Sequence, residues 1–108
     1  MTQHQQLAGL LASIEREMRL LELWQPVPPP PEALASTEPF CIDTLTFCEW
    51  VQWVMIPRFG LMIERQAALP ASSDIATLAE EAFKQIDADT EALLVLIEEI
   101  DRTLRALH

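Results

Sequence analysis

Three polar side chains, Glu49, Gln52 and Arg58, stand among aromatic and aliphatic neighbours in the stretch from Thr46 to Gln66. Gathered beside Trp53, they would make a small polar site able to hold a carboxylate or the edge of a base. The guanidinium offers a planar fork of donors, the amide one donor group and one acceptor, and the carboxylate a second acceptor. Pro57 adds to this chemistry, because its missing N–H leaves the Trp53 carbonyl without a helical partner. The same residues read more economically as a buried polar cluster that fixes the helix register, since polar groups inside cores are hydrogen-bonded as a rule.

The remaining reactive side chains do not assemble into a motif. No Ser or Cys nucleophile has a His nearby, and His4 and His108 lie at the two ends of the chain. Cys41 and Cys48 lack Cys-x-x-Cys or His-x-x-x-His company, so no metal site and no cofactor site is expected. On one continuous helix their α-carbons would lie roughly 10 Å apart, beyond the span of about 7 Å that a disulfide tolerates. Two buried thiols are expected instead. The expected catalytic set is therefore empty, and the protein reads as non-catalytic.

A chain of 108 residues, half of them hydrophobic, is long enough to bury roughly 65% of its unfolded surface as one domain. With only 2 glycines and no tyrosine, and with Leu, Ala, Ile and Glu abundant, helices are favoured over sheet. The net charge of -10 opposes counterion release from nucleic acid and repels anionic headgroups. Neither direct nucleic-acid binding nor membrane binding is expected, and a basic protein partner fits better. The N-terminus has no cationic region and cleavage site of a secretory signal, and no apolar run reaches the roughly 20 residues that span a bilayer. A cytoplasmic location is expected.

The elements that must position these residues follow from apolar spacing. Leu7, Leu10, Leu11, Ile14, Met18, Leu21 and Trp24 recur at three- and four-residue steps and predict a helix from His4 to Trp24, with Glu15 and Arg19 as an outer pair. Pro26 ends it, and a proline-rich connection over about 26–39 runs extended. Pro39-Phe40 predicts an anchor that sends a ring into the core. The central helix starts near Asp43-Thr44 or at the capping box of Thr46 and Glu49. Apolar residues cover most of its circumference, as in a helix wrapped by others, with Trp50 and Trp53 buried. Pro57 should bend it and Gly60 should loosen the next turn.

If that helix ran straight, Arg58 would fall on the side of Phe47, Val51 and Val54. An arginine there needs a carboxylate, with Asp43 the first candidate and Glu49 the second. A third helix is predicted from Asp74 to Gln85, and a fourth to about Leu107. The fourth directs Leu93, Leu94, Ile97, Ile100, Leu104 and Leu107 inward and Glu98, Glu99, Asp101, Arg102 and Arg105 outward. Asp87 and Asp89 supply its cap. The fold class is all-α: an antiparallel bundle of about four helices with a proline-kinked central helix, residues 1–108 forming one domain.

The array Pro39-Phe40, Asp43-Thr44, Glu49-Trp50, Gln52-Trp53, Ile56-Pro57-Arg58 and Leu69-Pro70 resembles the signature of the YqcC-like family of small bacterial proteins. The Trp-x-Gln-Trp-x-x-Ile-Pro-Arg spacing carries most of the match, which is close over the middle third. That resemblance implies a bundle of about four helices and a cytosolic, proteobacterial protein. The family carries no established activity, although its genes are sometimes found beside a tRNA pseudouridine synthase. The four-proline run and both cysteines lie outside the pattern. The expected role is an adaptor that binds a protein, such as a basic RNA-modifying enzyme, at the bend around Pro57 and Gly60, with Glu49 and Glu64 as an acidic rim. The alternative is a small-molecule binder or enzyme using Glu49, Gln52 and Arg58. Asp43, Glu49, Trp50, Gln52, Trp53, Pro57 and Arg58 are the candidate residues.

Overall fold

In the computed structural model, which describes residues 2–71 and 73–105, every regular element is helical. Helix α1 spans Gln3–Leu20 and buries Leu7, Leu11, Ile14 and Met18, the face that the spacing predicts. Thr2 and Gln5 cap it reciprocally. It stops four residues short of the predicted end at Trp24. Glu22 takes φ 60°, and Leu23 N–H bonds back to the Met18 carbonyl while Glu22 N–H bonds to that of Arg19. This closure turns the chain out of the helix without a glycine.

The proline-rich connection ends by starting a single helical turn, α2, at Pro31–Leu34, where proline's fixed φ suits the first helical position. A 3₁₀ turn follows at Pro39–Cys41. As expected of an anchor, Phe40 sets its ring edge-on against Trp50, with centroids 4.8 Å apart.

The central helix is continuous but not uniform. It comprises α3 at Phe47–Trp50, a π-turn at Val51–Met55, and α4 at Ile56–Glu64, and the junction residues Trp50, Val51, Met55 and Ile56 all keep right-handed helical angles. The proline kink thus takes the form of a widened turn, in which Ile56 N–H bonds to the Val51 carbonyl five residues back. One extra residue in the turn lets Pro57 follow without pressing its ring on the preceding turn. It also rotates everything downstream by roughly 100° relative to a straight helix. Phe47, Trp50, Val51, Met55 and Phe59 are thereby all buried.

Helix α5 spans Ile75–Phe83 and buries Ile75, Ala79 and Phe83. Helix α6 spans Glu91–Arg105 and buries Leu93, Ile97, Ile100 and Leu104, with the Asp89 carboxylate accepting from Glu91 N–H. The predicted inward Leu107 lies outside the described residues, as does His108. Contacts between helix ends establish that neighbours run antiparallel. The Gln3 side chain at the start of α1 donates to the Thr103 carbonyl near the end of α6 (2.9 Å). His4 Nε2 lies 2.8 Å from the Ala67 carbonyl just past α4. Phe47 at the start of α3 meets Phe83 at the end of α5, with centroids 5.7 Å apart. Inward faces of α1, the central helix, α5 and α6 join in one apolar cluster. His4 is therefore a tie between elements rather than part of a frayed end.

Asp101 corrects the sequence reading more sharply. Assigned to the outer face, it is 3% exposed. Its carboxylate accepts from the Ile75 and Ala76 amides at 3.1 and 2.9 Å and from the Ser73 hydroxyl. These amides begin α5, whose Asp74 makes no side-chain cap of its own. A carboxylate from α6 thus takes the place of a local cap, where the positive end of the helix dipole favours it.

Candidate functional site

The sequence-predicted polar residues are drawn to separate partners. Gln52, on the π-turn, is 4% exposed. Its Nε2 donates to the Gln25 carbonyl (2.7 Å) and its Oε1 accepts from Gln25 N–H (2.9 Å), so both ends of the amide are used on the backbone. Glu49 completes the capping box, accepting from Thr46 N–H at 2.8 Å while Glu49 N–H donates to the Thr46 hydroxyl. Asp43 accepts from the Ser36 hydroxyl.

Arg58 is exposed and, among the described residues, forms no ion pair, so the expected bond to Asp43 or Glu49 is absent. The π-turn gives the reason. It turns Arg58 off the apolar side where a straight helix would have placed it, and an exposed guanidinium needs no buried partner.

Two grooves flank the central helix. One, of about 600 Å³, is lined by Trp24, Trp53, Pro57 and Gln52 together with the ion pair of Glu15 and Arg19. Arg19 holds Glu15 at 2.9 Å and stacks its guanidinium 5.0 Å from the centroid of Trp24. Trp53 is half-buried, less than expected, and its Nε1 is buried with no hydrogen-bond acceptor among the described residues. The other groove, of about 320 Å³, brings Arg58 to the edge of Trp50, Met55, Phe59 and Met62. Trp50 itself is 8% exposed. Gln52 and Arg58 thus open onto different grooves. At the bend, Pro57, Arg58, Leu61 and Glu64 are the exposed residues, and Leu61 (45%) is the large aliphatic one.

Both cysteines are free. Burial, and to a lesser degree the neighbouring Glu49 carboxylate, push the Cys48 thiol up to about 11, so it is a neutral thiol and a poor nucleophile near pH 7. No group of three or more His, Cys, Asp or Glu side chains converges to hold a metal among the described residues. Nor is any described helix long and apolar enough to cross a membrane. Sequence reasoning passed over Gln25, Trp24 and Asp101 as functional or organising residues. The first two follow a helix end set by an unexpected left-handed Glu22. Asp101 looks like any charged residue of an exposed face until α5 is docked.

Residues 6–103 match the family model described as tRNA pseudouridine synthase C. A Haemophilus influenzae protein is 42% identical over 92 residues, which cover 83% of this chain and 87% of that one. The YqcC protein of Escherichia coli is 31% identical over 101 residues, 94% of this chain and 93% of its own length. A Pectobacterium carotovorum protein named tRNA pseudouridine synthase C is 44% identical over 72 residues, 67% of this chain but only 19% of that protein. The solution NMR structure of Escherichia coli YqcC superposes with a TM-score of 0.83 at 32% identity, covering 97% of this chain and 90% of that one. With a family match over nearly its whole length and the fold of YqcC, the chain belongs to the YqcC-like family.

Proposed function

We propose that this protein is a non-catalytic, cytoplasmic helical adaptor, folded as a single domain, whose partner is a tRNA pseudouridine synthase. The observation that carries the reading is the 72-residue match inside the Pectobacterium protein of that name, of which it makes up 19%. The Haemophilus and Escherichia relatives match this chain over close to their full length. Joining two partners in one chain makes their encounter intramolecular, at an effective concentration of order millimolar, so a fold that occurs both joined and separate suits a protein that works in association. The family description points the same way.

Physical chemistry supports a recognition role. A chain of net charge -10 attracts a basic RNA-binding enzyme and repels the RNA itself. The alternative, a small-molecule binder or enzyme built on Glu49, Gln52 and Arg58, loses support because Glu49 and Gln52 are each engaged by a different backbone segment and Gln52 and Arg58 line separate grooves. Isothermal titration of the purified chain with its host's tRNA pseudouridine synthase tests the adaptor. Saturable one-to-one binding is expected, with no pseudouridine formed in tRNA by the chain alone. Absence of binding sinks the partner assignment, and turnover by the isolated chain sinks the non-catalytic reading.

A further inference from the structure

Between the start of the central helix and α5 lies a further groove. Two hollows of about 370 and 490 Å³ share Phe47, Ala82 and Gln85 in their linings, and so lie side by side. Leu45, Phe47, Leu78 and Ala82 give it an apolar floor. At one end stands Ile42, a large aliphatic side chain left 64% exposed.

The backbone that leads to Ile42 is strained. Phe40 and Cys41, neither a glycine, both occupy the left-handed region with φ of 59° and 49°. Such residues cost about 1–2 kcal/mol each, and strain of this kind collects at binding and switching sites. Here it accompanies two placements: the Phe40 ring against Trp50, and Ile42 in solvent at the groove mouth.

Charge and backbone then narrow the occupant. Neither hollow is lined by Lys or Arg, and the charged side chains in the walls are the carboxylates of Glu22 and Glu81. Lys84 reaches Glu81 at 2.9 Å, but this is an exposed pair of the weak surface kind and easily exchanged. The walls come from α3, α5 and the connections beside them, and every regular element among the described residues is helical. An extended segment would find no sheet edge to pair with there, whereas a helix satisfies its own backbone and needs only side-chain contacts.

We propose that this groove docks the apolar face of a basic amphipathic helix contributed by a protein partner. The proposal rests on the adaptor reading for the existence of a partner and goes beyond it in assigning the surface and the partner's chemistry. Apolar anchors at helical spacing enter over Phe47 and Ala82, the outer anchor packs on Ile42, and Lys or Arg side chains reach Glu22 and Glu81. The acidic surface steers that helix in.

The test uses a synthetic helix of about five turns with Leu on one face and Lys on the others, a matched helix with Glu in place of Lys, and the host's tRNA pseudouridine synthase. Methyl NMR of the full chain reports on Ile42, Leu45 and Leu78 in the groove and on Leu61 outside it. The Lys helix is expected to shift the groove methyls, and the surface variants Ile42→Glu and Glu81→Lys each to weaken it at least about tenfold. Leu61→Glu is expected to leave binding unchanged, and the Glu helix to bind far more weakly. Shifts confined to Leu61, equal binding of the two helices, or unchanged affinity in Ile42→Glu overturns the groove assignment. Synthase binding that leaves the groove methyls unmoved also overturns it while the adaptor reading stands. Failure of the synthase to bind, with the Lys helix seated in the groove, removes that partner and leaves the groove.

Discussion

The side-chain amide of Gln52 and the backbone of Gln25 bond in both directions, 2.7 Å from Nε2 to the carbonyl and 2.9 Å from the amide to Oε1. This pair fastens the chain leaving α1 to the π-turn of the central helix. It also places Trp24 and Trp53 along the same groove. Replacing Gln52 by Ala removes both bonds from a part-buried site and is expected to lower stability by about 2 kcal/mol. Gln52→Leu, which keeps most of the volume, should lose a similar amount if the bonds rather than the packing matter. Urea denaturation checks both, and a wild-type midpoint for Gln52→Leu would show the amide to be dispensable.

The cap that α6 lends to α5 is expected to hold the α5 start in place. Asp101→Ala should destabilise by about 2 kcal/mol, and Asp101→Asn by less, because one acceptor oxygen remains. Amide hydrogen exchange at Ile75 and Ala76 should rise in Asp101→Ala more than exchange in α1. Uniform acceleration throughout the chain would show instead that only global stability had changed.

Glu22 and Gln66 both close helices in the left-handed region, with φ of 60° and 51°, and the amides that follow them bond back to Met18 and Met62. Glycine adopts that conformation without strain, so Glu22→Gly and Gln66→Gly should each stabilise by about 1 kcal/mol. A lowered melting temperature in either variant would mean that the side chain makes a contribution larger than its backbone strain.

Cys48 has a thiol pushed up to about 11 from 9.0 by burial and the nearby Glu49 carboxylate. Its folded form holds the proton more tightly than the unfolded chain does. The resulting stability is fully present below about pH 9 and is lost as pH rises toward 11. Wild type should therefore lose stability across that window more steeply than Cys48→Ala, as thermal melts at several pH values would reveal. Identical pH profiles would mean that the thiol titrates freely. Alkylation of native protein near neutral pH should be correspondingly slow.

Much of the fold was legible in the chain because amphipathic periods report burial directly. Leu7, Leu11, Ile14 and Met18 in α1, and Leu93, Ile97, Ile100 and Leu104 in α6, are buried as their spacing predicts. The Thr46 and Glu49 capping box was equally readable, being made within a single turn. Proline at 57 announced a disturbance of the central helix, since a missing donor is a property of the residue itself. Its form was not legible. A kink and a π-turn both accommodate proline, and only packing against α1 and α5 selects the register that buries Phe47, Val51, Met55 and Phe59 together.

From that rotation follows the exposure of Arg58, while Gln52, within the π-turn itself, is held inward by its two bonds to Gln25. Asp101 belongs to the same class. Its carboxylate reads as a surface charge along the chain and becomes a helix cap only when α5 lies against α6. Sequence by itself determined the helical class, the element order and the acidic character, all of which depend on neighbours close in the chain. Tertiary structure decided which polar groups meet, because each of those meetings joins residues from different elements and depends on one helix register against another.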